Sequence, residues 1–135
     1  MSSRILVVDD EASIRTLISE VMNIAGYQVA IAEDGLDALN QIRNKKFDLI
    51  VLDPPSFTKS RAKLQEALRG YKEINLRAFK LLSAGGLLAT FCCSHHVDAV
   101  TFQDVILSHS GSVVTQTMPV DPYIHGAEYS RFGSQ

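Results

Sequence analysis

Acidic side chains directly follow two apolar segments of this chain. Asp9 and Asp10 follow the apolar run 5–8, and Asp53 follows the apolar run 49–52. Carboxylates that converge repel one another unless a hard cation joins them, and Mg²⁺ with oxygen ligands suits such a cluster. A carboxylate beside Mg²⁺ can attack a phosphoryl group, because the metal neutralises charge on the transferring oxygens. The alternative is that Asp9 or Asp10 caps a helix and Asp53 only ends a strand.

A second group of reactive side chains lies at 92–96, where the sequence reads Cys-Cys-Ser-His-His. Cys92 and Cys93 are the only cysteines, and neighbours on a strand point to opposite faces, so we expect reduced thiols and no disulfide. Cys93 is a candidate reactive thiol beside the amino end of the next helix. Thiols and imidazoles also bind transition metals, but this spacing is too tight for paired ligands, so we expect a strand end followed by a helix start.

These residues need a scaffold of strands and helices to position them. Short apolar runs rich in β-branched residues predict five strands, at 5–8, 29–32, 49–52, 87–92 and 113–117. Apolar residues at three- and four-residue spacing predict helices between the strands. Gly26 is expected to end the first helix in a left-handed conformation. Pro54 and Pro55 delay the longest helix, which is expected to end at Gly85-Gly86.

Strands that alternate with helices predict an α/β fold with a five-stranded, doubly wound parallel sheet. We expect the flavodoxin-like strand order 2-1-3-4-5. A weakly alternating stretch at 128–132 leaves open a short antiparallel edge strand from the C-terminal tail. Ligands bind beyond the carboxyl ends of such strands, where the winding direction reverses. That position brings Asp9, Asp10 and Asp53 together.

Composition limits the function classes. With 135 residues, 46% of them hydrophobic and 21% charged, the chain fits one globular domain over residues 1–135. No apolar run approaches the roughly 20 residues of a membrane span and none resembles a signal peptide, so we expect a cytoplasmic protein with no membrane partner. Residues 54–96 carry seven basic against two acidic side chains. The solvated face of one helix explains this segment better than nucleic-acid binding, so no nucleic-acid partner is expected.

The first part of the chain resembles a response-regulator receiver domain. The resemblance rests on the segments 5–11, 32–39 and 48–53, together with Arg15. In that family an acidic pair holds Mg²⁺, and the aspartate after the third strand accepts phosphate from a histidine kinase. The resemblance therefore implies Asp9, Asp10 and Asp53 as metal ligands, Asp53 as phosphoacceptor, and a histidine kinase as partner.

The chain departs from the receiver pattern after Asp53. The family places a hydroxyl residue at the end of the fourth strand, and Ser94 is the nearest candidate. It also places a lysine before the proline that follows the fifth strand, but here Met118 precedes Pro119. Without that ammonium the phosphoryl oxygens lose a charged partner, so the resemblance implies only slow phosphorylation.

Residues from about 48 to 118 resemble the C-terminal part of a class I methyltransferase that modifies cytosine C5 in large-subunit ribosomal RNA. The segments that carry the resemblance are 53–57, 69–75, 85–88 and 92–96. They imply that Pro54 and Pro55 border cofactor and target base and that Cys93 is the nucleophile. In place of a glycine-rich turn after the first strand the chain has acidic residues, so we expect no S-adenosylmethionine site. Glu33 is placed like the acid that holds a ribose, although the receiver motif explains it equally.

Each resemblance thus lacks part of its catalytic set. We interpret the chain as an engineered or recombined chimeric scaffold without intact catalytic machinery, and we expect no enzyme activity. Residues 1–53 would be receiver-derived, residues 54–118 methyltransferase-derived, and residues 119–135 an irregular tail. The alternative is a receiver-like module that binds Mg²⁺ at Asp9, Asp10 and Asp53 and accepts phosphate weakly at Asp53. An RNA methyltransferase is the interpretation that we favour least.

Overall fold

Strands and helices alternate along the chain as the sequence predicts. The structure is a computed structural model that describes residues 2–41, 45–55, 57, 60–92, 96–107, 113–119 and 128–134. In chain order the elements are β1 (Arg4–Asp9), α1 (Ala12–Ile24), β2 (Gln28–Ala32), α2 (Gly35–Gln41), β3 (Phe47–Asp53), a 3₁₀ turn (Arg61–Lys63), α3 (Leu64–Leu81), β4 (Leu82–Thr90), α4 (Ala99–Leu107), β5 (Val113–Pro119) and β6 (Glu128–Ser134).

The strands form one mixed sheet in the order β2-β1-β3-β4-β6-β5. The four strands β2, β1, β3 and β4 pair in parallel, and Val7 of β1 lies beside Val51 of β3. The C-terminal strand β6 pairs antiparallel with both β4 and β5. The predicted α/β class with a parallel sheet is therefore confirmed. The predicted strand order is confirmed for the first four strands, 2-1-3-4.

The predicted order 2-1-3-4-5 is wrong beyond the fourth strand. We expected β5 to extend the parallel sheet and the tail to remain irregular or add an edge strand. Instead β6 lies between β4 and β5, and β5 is the edge strand. The tail shows only weak alternation, so local pattern cannot rank β6 above β5 as the neighbour of β4. That choice depends on backbone pairing between segments far apart in the chain.

One face of the sheet carries the hydrophobic core. Register partners on neighbouring strands point to the same face, and the row formed by Leu6, Ile50 and Leu88 is buried. Ala67 and Tyr71 of α3 pack in the same cluster, together with residues of α2 and α4. The right-handed connections from β2 to β3 and from β3 to β4 place α2 and α3 on this face.

The opposite face is covered only in part. α1 lies over β1 and β2, where Ile5 and Val7 are buried. No helix within the described residues packs closely over β3 and β4 on that side, and Leu49 and Val51 are half-buried there. Ile24, at the end of α1, is 87% exposed. This face therefore leaves apolar side chains in contact with water.

The helix ends follow the sequence at α1 but not at α3. Gly26 has φ of +95° and ends α1, as predicted. α3 ends at Leu81, earlier than the predicted Gly85-Gly86, and both glycines lie inside β4. Gly85 has φ of +75°, and the pairing of β3 with β4 is irregular between Phe47 and Leu49. None of the helices in the part of the chain that the structure describes is long and apolar enough to cross a membrane.

Candidate functional site

The carboxyl edge of the parallel strands gathers the acidic residues singled out in the sequence. Asp9 and Asp53 are register partners at the ends of β1 and β3. Asp9 is buried, whereas Asp10 is exposed in the turn that follows. Glu33 follows β2 at the same edge and is exposed. The predicted meeting of carboxylates at this edge is thus seen for Asp9 and Asp53.

The carboxylate of Asp9 is already part of the turn before α1. Its Oδ1 accepts a hydrogen bond from the backbone N–H of Glu11 at 2.8 Å. The Arg15 guanidinium donates to the backbone oxygen of Asp9 at 2.7 Å. Asp9 therefore fixes the path from β1 into α1, although the helix cap itself is Glu11, whose side chain makes no capping bond.

Metal binding at this edge stays a prediction. Among the described residues, no group of three or more His, Cys, Asp or Glu side chains has the arrangement needed to hold a metal ion. Asp9 and Asp53 are adjacent, but Asp10 lies beyond them in the turn. Two carboxylates leave most positions around Mg²⁺ to water or a ligand, as is common for that ion.

The loop after β3 is held against α3 by aromatic contacts. Pro54 is buried and Pro55 is exposed. The backbone N–H of Phe57 donates to the Tyr71 hydroxyl at 3.2 Å, and the two rings meet edge to face with centroids 4.6 Å apart. Tyr71 is fully buried and also contacts the Phe102 ring edge to face. The sequence Asp53-Pro54-Pro55 is therefore anchored to the core through Phe57.

A shallow cleft of about 220 Å³ opens beside this loop. Phe57 and Ile74 supply apolar surface, and Gly35 and Gly70 keep it open. A Cβ on Gly70 would lie 3.4 Å from the Phe57 ring, and one on Gly35 would lie 3.2 Å from Ile74. The cleft can therefore accept a flat group against the Phe57 ring, which is 39% exposed.

A larger polar cleft of about 500 Å³ lies at the amino ends of the strands, between Arg4, Lys46 and Ser83. The backbone N–H of Arg4 donates there to Asp48 at 2.8 Å. Parallel sheets of this kind bind ligands at the carboxyl ends of their strands. The smaller cleft, together with the acidic edge, is therefore the better candidate for a functional site.

Two of the candidate residues lie outside the described part of the chain, namely Cys93 and Ser94. Cys92 is buried, and the expectation of reduced cysteines stays a prediction because Cys93 lies outside the described residues. The residue that ends β4 is Thr90, which is fully buried and is the register partner of Leu52. Thr90 was not predicted as the hydroxyl residue because it lies inside the predicted strand 87–92. The change from Ala89 to a polar residue was the available signal.

One sequence family matches part of the chain. The model of the response regulator receiver domain matches residues 5–54. This segment ends at the loop after β3 and therefore includes Asp9, Asp10 and Asp53. The receiver resemblance of the first strands is thus confirmed.

Methyltransferases match a different and overlapping part. The ribosomal RNA large subunit methyltransferase I of Aeromonas salmonicida is 47% identical over 78 residues, which are 56% of this chain and 20% of that protein. The same enzyme of Vibrio campbellii is 36% identical over 103 residues, or 75% of this chain and 26% of that protein. A match that long within 135 residues necessarily includes β3, α3 and β4. The chain spans about a fifth to a quarter of the length of these relatives.

The overall fold is similar to that of a solved methyltransferase structure. The solved structure of SMU.776, a methyltransferase complexed with SAH, has a TM-score of 0.63 to this chain at 16% identity and covers 97% of this chain and 45% of its own. At that identity the similarity shows the fold alone. It covers both the receiver-like strands and the strands that follow.

These findings overturn three predictions. The interpretation as an engineered or recombined scaffold without intact catalytic machinery is contradicted, because curated ribosomal RNA methyltransferases are similar across more than half of the chain. The expectation of no enzyme activity and the exclusion of S-adenosylmethionine are contradicted by the same relatives and by the SAH-bound fold neighbour. One missing glycine turn does not exclude the cofactor, because a ligand at a parallel sheet meets the ends of several strands.

Proposed function

We propose that this chain is a methyltransferase fragment whose carboxyl strand ends bind S-adenosylmethionine. One observation carries the proposal. The segment from β3 to β4 is matched by ribosomal RNA methyltransferases, and its Asp53-Pro54-Pro55 loop stands at the edge where such sheets bind ligands. Because the chain is much shorter than its relatives, the complete reaction and its substrate are also part of the proposal.

The acidic edge suits the charge of this cofactor. S-adenosylmethionine carries a sulfonium and an ammonium group, and carboxylates attract cations most strongly where water is partly excluded. Asp9 is 4% exposed and adjoins Asp53 across the β1–β3 pair. The carboxylates at this edge therefore favour a cationic ligand even though the turn after β1 contains no glycine.

Glu33 and Phe57 are placed to contact the ribose and the adenine of S-adenosylmethionine. Glu33 directly follows the second strand, the position from which an acid in dinucleotide-binding sheets accepts hydrogen bonds from ribose hydroxyls. Its backbone N–H is bound to the Asp37 carboxylate at 3.0 Å, which fixes the turn. The cleft beside Phe57 can take the adenine ring by stacking. When bound, the cofactor would supply an electrophilic methyl group.

Binding can be tested by calorimetric titration of the chain with S-adenosylhomocysteine. Saturable binding is expected, and Glu33→Gln should weaken it about tenfold by replacing an ionic acceptor of the ribose hydroxyls. Asp104→Asn is the matched control, because Asp104 is an exposed acid on α4, away from the edge. No saturable binding, or equal loss in both variants, would contradict the proposal.

The acceptor that we propose is a base of large-subunit ribosomal RNA, as in the names of the relatives. Cys93 is the proposed nucleophile, carried over from the methyltransferase resemblance. Transfer of a labelled methyl group to that RNA should be lost in Cys93→Ser, while binding of S-adenosylhomocysteine is retained. Transfer that survives this substitution would remove Cys93 from the reaction without removing the cofactor site.

A further inference from the structure

We infer that this chain forms a symmetric dimer in which the β2 strands of two copies pair antiparallel at the open edge of the sheet. β2 is the outermost strand on its side. It reads Gln-Val-Ala-Ile-Ala, with no charged residue and no proline. Natural edge strands usually carry lysine, proline or a bulge that blocks further pairing. This edge has none of them.

The backbone of β2 is complementary to a second copy of itself. Gln28 donates its N–H to Ser3, toward β1, so the alternation along a strand turns the N–H and C=O groups of Val29 and Ile31 outward. A twofold axis at Ala30 places Val29 of each copy opposite Ile31 of the partner subunit, so the pair occurs two times in the dimer. In an antiparallel ladder, such opposing residues exchange both hydrogen bonds. In this register, the two N–H and two C=O groups that Val29 and Ile31 direct outward in each copy all form hydrogen bonds.

The side chains at the edge support the same register. Ile31 is 40% exposed and Tyr27 is 42% exposed, so apolar surface already lies in water there. Val29 and Ile31 would form a cross-strand pair of β-branched side chains, which stabilises antiparallel strands. Burial of this apolar surface stabilises the dimer in addition to the backbone hydrogen bonds.

Charge selects the antiparallel over the parallel arrangement. Arg4 is exposed at the start of β1, beside its register partner Gln28, whereas Glu33 and Asp34 follow the end of β2. Antiparallel pairing brings the acids of each copy toward Arg4 of the other copy. Parallel pairing would instead align acid with acid. The edge is therefore self-complementary in charge as well as in hydrogen bonding.

The helix layer also permits this approach. α1 lies over β1 and β2, so two copies of α1 would run side by side about 10 Å apart, a normal distance for packed helices. With Ile18 toward the sheet, the right-handed connection turns Ser19 and Asn23 toward the open edge. These short side chains hydrogen-bond to each other at 3.4 Å and leave room for the partner.

Sedimentation equilibrium over a wide range of concentration tests the dimer. We expect a monomer–dimer equilibrium that Ile31→Lys abolishes, because a charge at an unpaired edge opposes strand pairing. Ile24→Lys is the matched control, since Ile24 is 87% exposed on the other flank of α1. A monomer at every concentration, or association abolished by Ile24→Lys and not by Ile31→Lys, would overturn the inference.

Charge reversal tests the antiparallel arrangement separately. Arg4→Glu alone and Glu33→Arg alone should each weaken the dimer roughly three- to tenfold, because the attraction between these exposed charges becomes repulsion in both symmetry-related places. The double variant should regain the original affinity. A double variant weaker than either single one would overturn the arrangement. Amide exchange at Val29 and Ile31 should slow as the concentration of the unmodified chain rises, and unchanged exchange would also count against it.

Discussion

The Phe57 backbone N–H donates to the Tyr71 hydroxyl at 3.2 Å, and this bond ties the loop after β3 to the middle of the core. Tyr71 is fully buried on α3, so its position is set by packing against the sheet. The loop therefore takes its place from α3 and not only from its two prolines. A ligand that contacts Phe57 therefore meets a residue that Tyr71 already holds in place.

Removing the Tyr71 hydroxyl should release the loop without emptying the core. Tyr71→Phe is expected to lower the free energy of unfolding by about 1 kcal/mol, because a part-buried hydrogen bond is lost while the ring remains. Urea denaturation measures the change. Tyr27→Phe is the control, since Tyr27 is 42% exposed, and it should shift stability by less than about 0.5 kcal/mol. Equal effects of the two substitutions would show that the bond to Phe57 contributes nothing.

The two adjacent acids at the end of β1 should differ in their effect on stability. Asp9→Ala is expected to cost about 1–2 kcal/mol, because Asp9 is buried and accepts the Glu11 N–H. Asp10→Ala should change the free energy of unfolding by less than about 0.5 kcal/mol, because Asp10 is exposed. Thermal unfolding of both variants provides the comparison. A gain in stability on replacing Asp9 would mean that repulsion from Asp53 outweighs its hydrogen bond.

Asp98 should make the stability of α4 depend on pH. The backbone N–H of Thr101 donates to one carboxylate oxygen at 2.8 Å and its hydroxyl to the other at 3.1 Å, and these bonds lower the pKa of Asp98 below its ordinary value of 3.8. A lowered pKa in the folded state stabilises the fold above the unfolded-state pKa, and that contribution disappears as the pH falls through the folded-state pKa.

The measurement is the pH profile of unfolding for the unmodified chain and for Asp98→Asn. The unmodified chain should exceed the variant in stability above pH 3.8 and lose that advantage in more acidic solution. Asp104→Asn, on the exposed side of the same helix, should leave the profile unchanged. A profile of Asp98→Asn parallel to that of the unmodified chain through the acid range would contradict the assignment.

The glycine pair in β4 should tolerate alanine unequally. A Cβ on Gly86 would lie 2.9 Å from the Ser83 carbonyl oxygen and 3.1 Å from that of Phe47, so Gly86→Ala should cost about 1–3 kcal/mol. Gly85→Ala meets no atom within 4 Å and strains only the positive φ, at about 1 kcal/mol. Denaturant unfolding ranks the two. A larger loss of stability in Gly85→Ala than in Gly86→Ala would place the close backbone contact at Gly85.

Much of the fold and part of the candidate site could be predicted from the sequence. The apolar runs at 5–8 and 49–52 are short and β-branched, and they lie in adjacent parallel strands whose ends bring Asp9 and Asp53 together. Local pattern suffices there because a buried strand must be apolar on both faces. The local pattern did not predict the function, because the absent glycine turn is a single feature whereas the fold is built by the remaining strands together with β6.

The sequence by itself determined the alternation of elements, the left-handed Gly26 and the acidic strand ends, since each follows from a few neighbouring residues. Only the tertiary structure decided that β6 enters between β4 and β5, that Phe57 binds Tyr71, and that Asp9 is buried while Asp10 is exposed. These features join residues distant in the chain, or depend on which side of a turn faces the core. Their energies arise only when the elements pack, so no local pattern encodes them.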